Sequence, residues 1–483
     1  MTRFVMGLAL FQVILQTAML QAAGRPNIIY ILADDLGYGD VQGLNPKRGK
    51  IPTPNIDKLA KAGMTFTDTH GGSSVCTPTR YGILTGRYAW RSRLQNGVLG
   101  GYAEPLIAAD RLTVAAILKK QGYWTACIGK WHLGFSVQGN MGKGSAATGT
   151  VTKDGPLTRG FDHFYGFHHA HTIEALFTDD TVKERLAPVE MLPALTRHAA
   201  RTIGEQAAAK KPFFLYLALN SPHTPIVPAA EWQGKSGLGD YGDYVMQTDW
   251  SVGQVVEAID KAGIADSTLV IFTSDNGCSP AAGIDQLQTK GHFPSADFRG
   301  HKADIWDGGH RVPFIVRWPG VVKPGSSCAQ LTCLTDLMAT CAEITGESLP
   351  ENAGEDSFSI LPLLKGEDKP IRDTLVHHSI DGRFALRDRT WKLELCYGSG
   401  GWSSPRDWEA MKAKLPPVQL YNMISDYRET KNVEAANRAI VEAMTKQLEA
   451  LVANGRSTPG AKQANDVPVT ILKEAQAKRK GKK

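Results

Sequence analysis

The chain has 483 residues, of which 42% are hydrophobic and 21% are charged, values typical of a globular enzyme rather than of a disordered chain. The formal net charge is +6, but five positive charges lie at the C-terminal end, at Lys478, Arg479, Lys480, Lys482 and Lys483, so the main body is nearly neutral. A nearly neutral body argues against a nucleic-acid-binding protein, and the length allows one large α/β domain with a smaller second domain.

The N-terminal stretch has the parts of a secretory signal peptide. Arg3 precedes an apolar run at residues 4–20, and small residues follow up to Gly24. We therefore expect residues 1–23 to be a signal peptide and the protein to be exported, either to a periplasm or outside the cell. An uncleaved membrane anchor is the alternative, because the apolar run is long for a signal peptide. No other stretch is apolar enough to span a bilayer.

A short apolar run at residues 28–33 predicts a strand that is buried on both faces of a parallel sheet. Asp34 and Asp35 follow it directly. Ligands bind at the carboxyl ends of strands in open α/β sheets, and two adjacent carboxylates are buried together only beside a positive partner. We therefore expect a cation here, and a solvated pair of loop carboxylates is the alternative.

The segment around Cys76 predicts an anion-binding helix N-terminus. Pro78 disfavours helical geometry at Thr77, so we expect Cys76 to lie in a loop and Arg80 to lie in the first turn of the following helix. Backbone N–H groups at a helix N-terminus favour an anion, and arginine adds a permanently charged fork that suits a tetrahedral oxyanion. The alternative is that Cys76 is an ordinary small buried residue.

The chain has seven cysteines, which is an odd number. An odd count in an exported protein leaves at least one thiol outside any complete pairing. The sequence leaves open whether the six other than Cys76 form disulfides or stay buried thiols; they are Cys127, Cys278, Cys328, Cys333, Cys341 and Cys396.

A strand predicted over residues 124–129 leads into Lys130 and His132, which are two residues apart and therefore face the same side. Residues 135–157 lack periodicity and predict a long loop at the mouth of the pocket. Beyond this loop lies a histidine-rich tract, for which a transition-metal site, a role beside the substrate and no role at all are left open. Its histidines are His168, His169 and His171.

Two further strands, predicted over residues 212–219 and 268–273, also end in polar residues. His223 lies between two prolines after the first, and Asp275 and Asn276 follow the second. Like the two carboxylates after the first strand, Asp275 and Asn276 offer only oxygen ligands. Hard cations prefer such a set, and Ca²⁺ tolerates mixed carboxylate and amide ligands better than Mg²⁺ does.

The C-terminal third has a different pattern, with short strands and a helix that predict a small α+β unit. A loop at residues 397–405 contains Trp402, which is a candidate for stacking on a sugar, with ordinary packing as the alternative. Apolar content falls after Pro459, so we expect residues 459–483 to be a basic, disordered tail. Amphipathic patterns predict helices over residues 51–64, 112–121, 244–262, 334–344 and 436–453.

Several of these segments together resemble the motifs of the type I, formylglycine-dependent sulfatases, an arylsulfatase-like family of the alkaline phosphatase superfamily. In the block at residues 299–313, which contains Lys302, Asp307 stands where glutamate is usual. The other matching motifs are Cys-Thr-Pro-Thr-Arg at 76–80 with Thr-Gly at 85–86, Asp-Asp-Leu-Gly-Tyr-Gly-Asp at 34–40, Gly-Lys-Trp-His-Leu-Gly at 129–134, Ser-Pro-His at 221–223 and Ser-Asp-Asn-Gly at 274–277.

The resemblance covers residues 25–453 and implies an α/β fold. It implies an alkaline-phosphatase-like core with a mostly parallel central sheet flanked by helices, and a smaller C-terminal α+β subdomain with a short antiparallel sheet. The corresponding boundaries are residues 24–345 for the catalytic domain and 346–458 for the subdomain.

The resemblance also implies a nucleophile and a metal ion. A formylglycine-generating enzyme converts the cysteine of the motif, here Cys76, to Cα-formylglycine, and the hydrate of this aldehyde attacks sulfur. The implied metal ion is Ca²⁺, held by Asp34, Asp35, Cys76, Asp275 and Asn276.

The remaining motif residues acquire their roles by the same resemblance. Arg80, Lys130 and Lys302 stabilise charge on the transferring group, and Lys130, His223 and Lys302 contact the substrate. His223, with Lys302, assists the leaving alcohol, and His132 assists the release of sulfate.

The function predicted from the sequence is hydrolysis of sulfate esters, on a sulfated saccharide or an aryl sulfate, without nucleic-acid partners or stable membrane insertion. Two alternatives remain open. One is a phosphoesterase or phosphonate monoester hydrolase of the same superfamily, because both anions are tetrahedral. The other is a non-catalytic protein that binds sulfated glycans and keeps Cys76 as a thiol.

Overall fold

The structure is a computed structural model that describes residues 25–137 and 144–474. The predicted signal peptide at residues 1–23 and the last part of the tail, residues 475–483, lie outside the described residues. Within the described ranges, no helix is long and apolar enough to cross a membrane.

Sixteen strands form in the described part of the chain. They are β1 (Asn27–Asp34), β2 (Met64–Phe66), β3 (Thr69–His70), β4 (Trp124–Lys130), β5 (His163–Phe167), β6 (Ala175–Thr178), β7 (Thr181–Arg185), β8 (Phe213–Pro222), β9 (Thr268–Ser274), β10 (Phe314–Arg317), β11 (Ser326–Cys328), β12 (Thr332–Cys333), β13 (Leu375–His378), β14 (Phe384–Arg387), β15 (Trp391–Glu394) and β16 (Gln419–Asn422).

Eleven α-helices accompany these strands in the same described ranges. They are α1 (Pro54–Ala62), α2 (Cys76–Thr85), α3 (Val114–Lys120), α4 (Pro188–Ala209), α5 (Asp240–Lys261), α6 (Ile284–Thr289), α7 (Asp307–His310), α8 (Leu337–Thr345), α9 (Leu361–Leu364), α10 (Asp407–Lys412) and α11 (Arg438–Asn454).

The core is a ten-stranded sheet with the order β11-β2-β10-β9-β1-β8-β4-β5-β6-β7. The five central strands, from β9 to β5, all pair in parallel. Antiparallel pairs lie outside them, where β10 pairs with β9 and β2, and β6 pairs with β5 and β7. The predicted mostly parallel sheet is therefore confirmed.

The central strands are buried on both faces because helices cover both sides of the sheet. In β1, Ile28 and Tyr30 pack into the core that includes residues of α2, α3 and α8. Ile29 and Ile31 point to the opposite side and pack with residues of α1, α4 and α5. Alternate residues of a strand face opposite sides, so a continuous apolar run is what a strand between two helical layers requires.

The smaller C-terminal unit is built on an antiparallel sheet in the order β13-β14-β15-β16. Met444 and Leu448 of α11 pack against this sheet, in one core with Phe384 and Leu393. The predicted α+β unit with a short antiparallel sheet is confirmed, while the domain boundaries at residues 345–346 and 458–459 stay predictions.

The predicted disorder is wrong for residues 459–474, which lie on the folded body. Ile471 is 9% exposed and belongs to the C-terminal core. Arg87 forms an ion pair with Asp466, and Arg91 donates a hydrogen bond to Asn465 Oδ1 at 3.1 Å. These contacts with buried arginines hold a segment whose low apolar content alone predicts disorder.

Candidate active site

Four polar segments meet at the carboxyl edge of the parallel strands. β1 ends at Asp34, and Asp275 follows β9, its parallel neighbour. His223 follows β8 on the other side of β1, and Lys130 ends β4, which lies beyond β8. Because parallel strands bring their carboxyl ends to one edge, residues far apart in the sequence supply one site.

Cys76 is the first residue of α2 and is only 3% exposed. The predicted helix N-terminus is confirmed, but the predicted loop geometry of Cys76 is wrong because the helix begins two residues before Pro78. Proline is tolerated in the first helical turn, where its missing N–H has no intrahelical acceptor. Arg80 consequently lies one turn along α2 from Cys76 rather than in the first turn.

Two lysines neutralise the two carboxylates at the end of β1. Lys130 Nζ lies 2.6 Å from Asp34 Oδ2, and Lys302 Nζ lies 2.6 Å from Asp35 Oδ1. All four side chains are nearly completely buried. Buried charges of this kind are stable only when paired, so each lysine is held at its carboxylate.

Arg80 joins α2 to two strand ends. Its Nη2 donates to Asp275 Oδ2 at 2.7 Å, and its Nη1 donates to the carbonyl oxygen of Lys130 at 3.1 Å. The guanidinium is completely buried. These contacts fix the N-terminal part of α2, and with it Cys76, against the carboxyl edge of the sheet.

The pKa values of the two aspartates at the ends of β1 and β9 are shifted in opposite directions. Burial by itself raises the pKa of Asp34, but Lys130 and His223 outweigh it and hold this pKa well below its usual range. Burial, together with the negative charge of Asp34, raises the pKa of Asp275 despite the pairing with Arg80. Like charges in close proximity oppose one another's ionisation, so an additional cation would stabilise this group of carboxylates.

Among the described residues, two buried oxygen atoms at this edge accept no hydrogen bond, namely Asp34 Oδ1 and Asn276 Oδ1. Arg80 Nη2 lies 3.4 Å from Asp34 Oδ1 as an ion-pair partner. Asn276 Nδ2 donates to Asp35 Oδ1 at 2.8 Å, so its amide oxygen faces away from that bond. Ligand atoms of Asp34, Asp35 and His223 all lie within 4.8 Å of one another. A buried acceptor without a hydrogen bond costs about 1–3 kcal/mol, so these two oxygen atoms fit a bound cation. The oxygen-rich set fits Ca²⁺.

His132 is buried in one tautomer. Its Nε2 lies 2.8 Å from the carbonyl oxygen of Leu99, which can only accept, so Nε2 carries the proton. Nδ1 is buried and has no partner among the described residues. Burial and the charge of Lys130 lower the pKa of His132 well below its usual value. The imidazole is therefore neutral and has a free lone pair at Nδ1.

His223 lies at the more open side of the site. Its side chain is 14% exposed, and its Nε2 lies 3.6 Å from Asp35 Oδ2. Burial lowers the pKa of His223 to about 4 although Asp34 opposes this effect. A partly exposed imidazole beside Asp35 is placed to meet a group that enters from solvent.

The histidine-rich tract lies beside His132. His168 Nε2 accepts from the backbone N–H of Gly134 at 3.1 Å, and the ring centroids of His169 and His132 lie 4.5 Å apart. None of the three histidines of the tract belongs to the clusters of potential metal ligands found in residues 25–137 and 144–474. His168 and His169 are thus in ring contact with His132, and a role beside the substrate, one of the interpretations left open by the sequence, suits these two residues. The ring of His171 contacts that of His169 instead, at a centroid distance of 4.8 Å.

Asp304, which the sequence analysis missed, joins the turn of Lys302 to the loop of Trp402. Its Oδ1 accepts from the backbone N–H groups of Trp402 at 2.8 Å and Ser403 at 3.0 Å, and its Oδ2 accepts from the N–H of His301 at 2.9 Å. Trp402 itself is 38% exposed. The only sequence signal for Asp304 is its position two residues after Lys302.

Asp307, at the position where glutamate is usual, is completely buried and lies in an ionic cluster. Lys392 Nζ lies 2.9 Å from its Oδ1, and Arg311 and Arg387 lie 3.0 and 3.2 Å from its Oδ2. Both arginines and the lysine therefore share this carboxylate. Its partners identify Asp307 as a supporting residue that joins the main sheet to the C-terminal unit.

All seven cysteines are buried and free, so no disulfide forms among them. The question that the sequence left open is thus answered in favour of buried thiols.

The family model described as Sulfatase matches residues 26–347. The chain is 32% identical to an N-acetylgalactosamine-6-O-sulfatase of Bacteroides thetaiotaomicron over 89% of this chain and 94% of that protein. It is also 32% identical to human arylsulfatase A, over 90% of this chain and 89% of that protein.

A solved structure from a study of glycosaminoglycan metabolism by Bacteroides thetaiotaomicron superposes on the fold with a TM-score of 0.79. Its identity is 29%, and the match covers 88% of this chain and 99% of that chain. The motifs, the sheet topology and these similarities agree. The chain is a sulfatase, and it belongs to the sulfatase family within the alkaline phosphatase superfamily.

Proposed function

We propose that this sulfatase hydrolyses sulfate esters of carbohydrates with Cα-formylglycine, formed from Cys76, as its nucleophile. The observation that carries the proposal is the position of Cys76, at a helix N-terminus beside Lys130 and Lys302. Burial raises the pKa of the Cys76 thiol although both lysines oppose this effect. A protonated, buried thiol is a poor nucleophile, which supports a modified residue at this position.

The cation site is proposed to hold Ca²⁺ through Asp34, Asp35, Asp275, Asn276 and the modified residue 76. Asp34 Oδ1 and Asn276 Oδ1, the two buried oxygen atoms that accept no hydrogen bond from the described residues, support this assignment. A bound Ca²⁺ would supply Lewis-acid stabilisation of an anionic oxygen at residue 76.

The cationic side chains are proposed to bind the sulfate group. Lys130 and Lys302 now neutralise Asp34 and Asp35, and a cation on these carboxylates would leave the two ammonium groups available to sulfate oxygens. Arg80 adds a third positive charge that water does not screen. These groups stabilise the negative charge that develops on the transferring group.

Two histidines are proposed to move protons. His132 has its free lone pair at Nδ1. We propose that this atom accepts a proton from the part of the site that contains residue 76. His223, at the open side, is proposed to act with Lys302 in delivering a proton to the leaving alcohol. The negative charge of a bound sulfate would raise the pKa of His223 from about 4 towards neutrality, which suits this role.

The substrate class is proposed from the rim of the site and from the relatives. Trp402 presents an exposed ring on the loop that Asp304 holds next to Lys302, where it could stack on the face of a sugar. A relative over nearly the whole chain is named as acting on N-acetylgalactosamine 6-O-sulfate. We therefore propose a sulfated saccharide rather than a small aryl sulfate as the natural substrate.

The maturation of the protein is proposed to involve export and a formylglycine-generating enzyme. Residues 1–23, which have the pattern of a signal peptide, support export. The intact Cys-Thr-Pro-Thr-Arg motif from Cys76 to Arg80 supports recognition by the modifying enzyme.

The first experiment is mass spectrometry of the peptide that contains Cys76, from protein made in a host with the modifying enzyme. Conversion to the aldehyde lowers the peptide mass by about 18 Da. The same preparation is then assayed with 4-nitrophenyl sulfate, 4-nitrophenyl phosphate and N-acetylgalactosamine 6-sulfate. We expect the aldehyde, turnover of both sulfates, and little turnover of the phosphate.

The outcomes separate the alternatives. Unmodified Cys76 in fully active protein would exclude the formylglycine mechanism. Preferred turnover of the phosphate would identify a phosphoesterase, and a protein that carries the aldehyde and binds sulfated saccharides without turnover would be a binding protein.

A further inference from the structure

His169 lies in a loop whose backbone is held by several hydrogen bonds. The backbone N–H of His169 donates to Thr172 Oγ1 at 3.1 Å, and the N–H of Thr172 donates to the carbonyl oxygen of His169 at 2.8 Å. His168, the preceding residue, is fixed by the bond from Gly134 and by ring contact with Phe135, at a centroid distance of 4.9 Å. The position of His169 is therefore established before any ligand binds.

The imidazole of His169 is fixed in one tautomer. The backbone N–H of His171 donates to His169 Nδ1 at 3.0 Å, so Nδ1 has no proton and Nε2 must carry it. Within residues 25–137 and 144–474, no hydrogen bond joins Nε2 to another group, and this atom is not among the buried unpaired atoms. His169 thus presents a single N–H donor that is free to bind a ligand.

This donor lies next to the proposed sulfate-binding residues. The rings of His169 and His132 are in edge-to-face contact with centroids 4.5 Å apart. Burial lowers the pKa of His169 to about 2, and the charges of Lys130 and His223 contribute to this shift because they are close. The imidazole is therefore uncharged in the working pH range.

We propose that His169 is a substrate-binding residue, whose Nε2–H donates a hydrogen bond to a hydroxyl or ring oxygen of the saccharide next to the sulfated position. This inference rests on the proposed function, because it deepens the choice of a saccharide substrate. His169 makes the site discriminate between a sugar, which brings an acceptor oxygen to Nε2, and a flat aryl sulfate, which brings none.

The chemistry of the donor sets the kind of oxygen that it binds. A neutral N–H bonds well to an uncharged oxygen, whereas a second sulfate group would gain more from a cation. A ligand without an acceptor at this place would cover the N–H of His169 without bonding to it, and such losses produce specificity.

The test compares His169→Phe, which keeps an aromatic ring but removes the N–H, with the unmodified sequence. Steady-state kinetics are measured with N-acetylgalactosamine 6-sulfate and with 4-nitrophenyl sulfate. Loss of one hydrogen bond to the substrate should lower kcat/KM on the saccharide about tenfold, mostly through KM, and change kcat/KM on the aryl sulfate less than about twofold. His169→Gln, which restores an N–H donor, should recover part of the loss.

His171→Ala is the matched control. It removes a neighbouring imidazole but keeps the backbone N–H that fixes the tautomer of His169, so both substrates should be turned over as before. Equal kcat/KM on the saccharide for His169→Phe and the unmodified sequence would overturn the inference, as would a similar loss on both substrates. A protein that turns over neither sulfate before any substitution would instead contradict the proposed function.

Discussion

At the scale of single residues, two buried oxygen atoms, Asp34 Oδ1 and Asn276 Oδ1, support the proposed cation site. The sequence predicts both residues as ligands because each follows a buried strand. The structure adds that both atoms are buried and accept no hydrogen bond from the part of the chain that it describes, although Arg80 forms an ion pair with Asp34 Oδ1 at 3.4 Å. Such atoms destabilise the folded protein unless a ligand binds to them.

Binding of Ca²⁺ should therefore stabilise the fold. A ligand at a free concentration of about 100 times its Kd raises the free energy of unfolding by about 2.7 kcal/mol. We expect removal of Ca²⁺ with EGTA to lower the midpoint of thermal unfolding, and Ca²⁺ to restore it. Asn276→Leu, which removes the amide acceptor, should abolish most of the Ca²⁺-dependent shift.

Gln286→Leu, at an exposed position of α6, is the matched control and should keep the full shift. If Asn276→Leu responded to Ca²⁺ as strongly as the control, the assignment of Asn276 to the cation site would be wrong. The readout is thermal stability, so it does not depend on catalytic activity.

At the scale of elements, Gly129 shows why β4 and β8 approach so closely. Its φ is +109°, and a Cβ at this position would lie 1.8 Å from the carbonyl oxygen of Ala218 in β8. Lys130 and His132 follow directly, so any displacement of β4 moves two proposed sulfate-site residues. The glycine of the Gly-Lys-Trp-His motif thus has a purely steric role.

Gly129→Ala should destabilise the protein by more than about 3 kcal/mol, because both the positive φ and the contact with Ala218 oppose a side chain. Gly204→Ala, in α4, is the control, since nothing lies within 4 Å of its Cβ position. That change should raise the free energy of unfolding by about 0.5–1 kcal/mol. Urea unfolding measures the change in the free energy of unfolding for both variants. Equal effects of the two substitutions would contradict the steric explanation.

The sequence predicts the strands of the site well because each is a continuous apolar run followed by polar residues. It did not predict α4, a 22-residue helix that contains Pro193 and several small residues. Proline inside a helical pattern normally indicates an end, and here packing on the sheet overrides that preference. Asp304 was missed for a different reason, since its partners Trp402 and Ser403 are about a hundred residues away and only the fold brings them together.

At the scale of the whole molecule, a buried ionic cluster joins the C-terminal unit to the main sheet. Lys392 of β15 contacts Asp307, Glu394 and Glu429, and all four side chains are completely buried. Asp307 also lies on α7, next to the strands of the main sheet. Three carboxyl groups at the junction thus share the ammonium group of Lys392, and Asp307 is also paired with Arg311 and Arg387.

Lys392→Met should lower the free energy of unfolding by about 3–5 kcal/mol, because it leaves buried carboxylates without their cation. Arg428→Met is the control: Arg428 pairs with Asp297 on the surface, where the two side chains are 53% and 38% exposed. An exposed pair of this kind contributes about 0–1 kcal/mol. Chemical denaturation compares the two, and a loss below about 1 kcal/mol for Lys392→Met would show that the cluster does not stabilise the junction.

Acid should destabilise the molecule through its buried neutral histidines. Burial lowers the pKa of His70 to about 4 and those of His168 and His378 to about 3. The unfolded chain protonates its histidines near pH 6.5, so it binds more protons than the folded chain between about pH 6.5 and 4, and stability falls as the pH decreases. At pH 5.5 each of the three histidines lowers the free energy of unfolding by about 1.4 kcal/mol.

Urea unfolding at pH 7.5 and pH 5.5 measures this difference. His378→Asn keeps a donor for the carbonyl oxygen of Ser379, which His378 Nδ1 contacts at 3.0 Å, but does not titrate. We expect this variant to lose about 1.4 kcal/mol of the pH-dependent difference. Equal stabilities of the unsubstituted protein at both pH values would contradict the assignment of neutral buried histidines.

The burial of Cys76 sets the order of events during biosynthesis. The enzyme that we propose to oxidise residue 76 cannot reach a side chain that is 3% exposed, so on this proposal the reaction has to precede folding. Folding in turn cannot be completed until Asn465 and Asp466 have been synthesised, because these residues bind Arg91 and Arg87 shortly after α2. At about 5–20 residues per second, synthesis of the intervening chain takes about 20–80 s, and this interval is the time available for the proposed conversion of Cys76 to formylglycine.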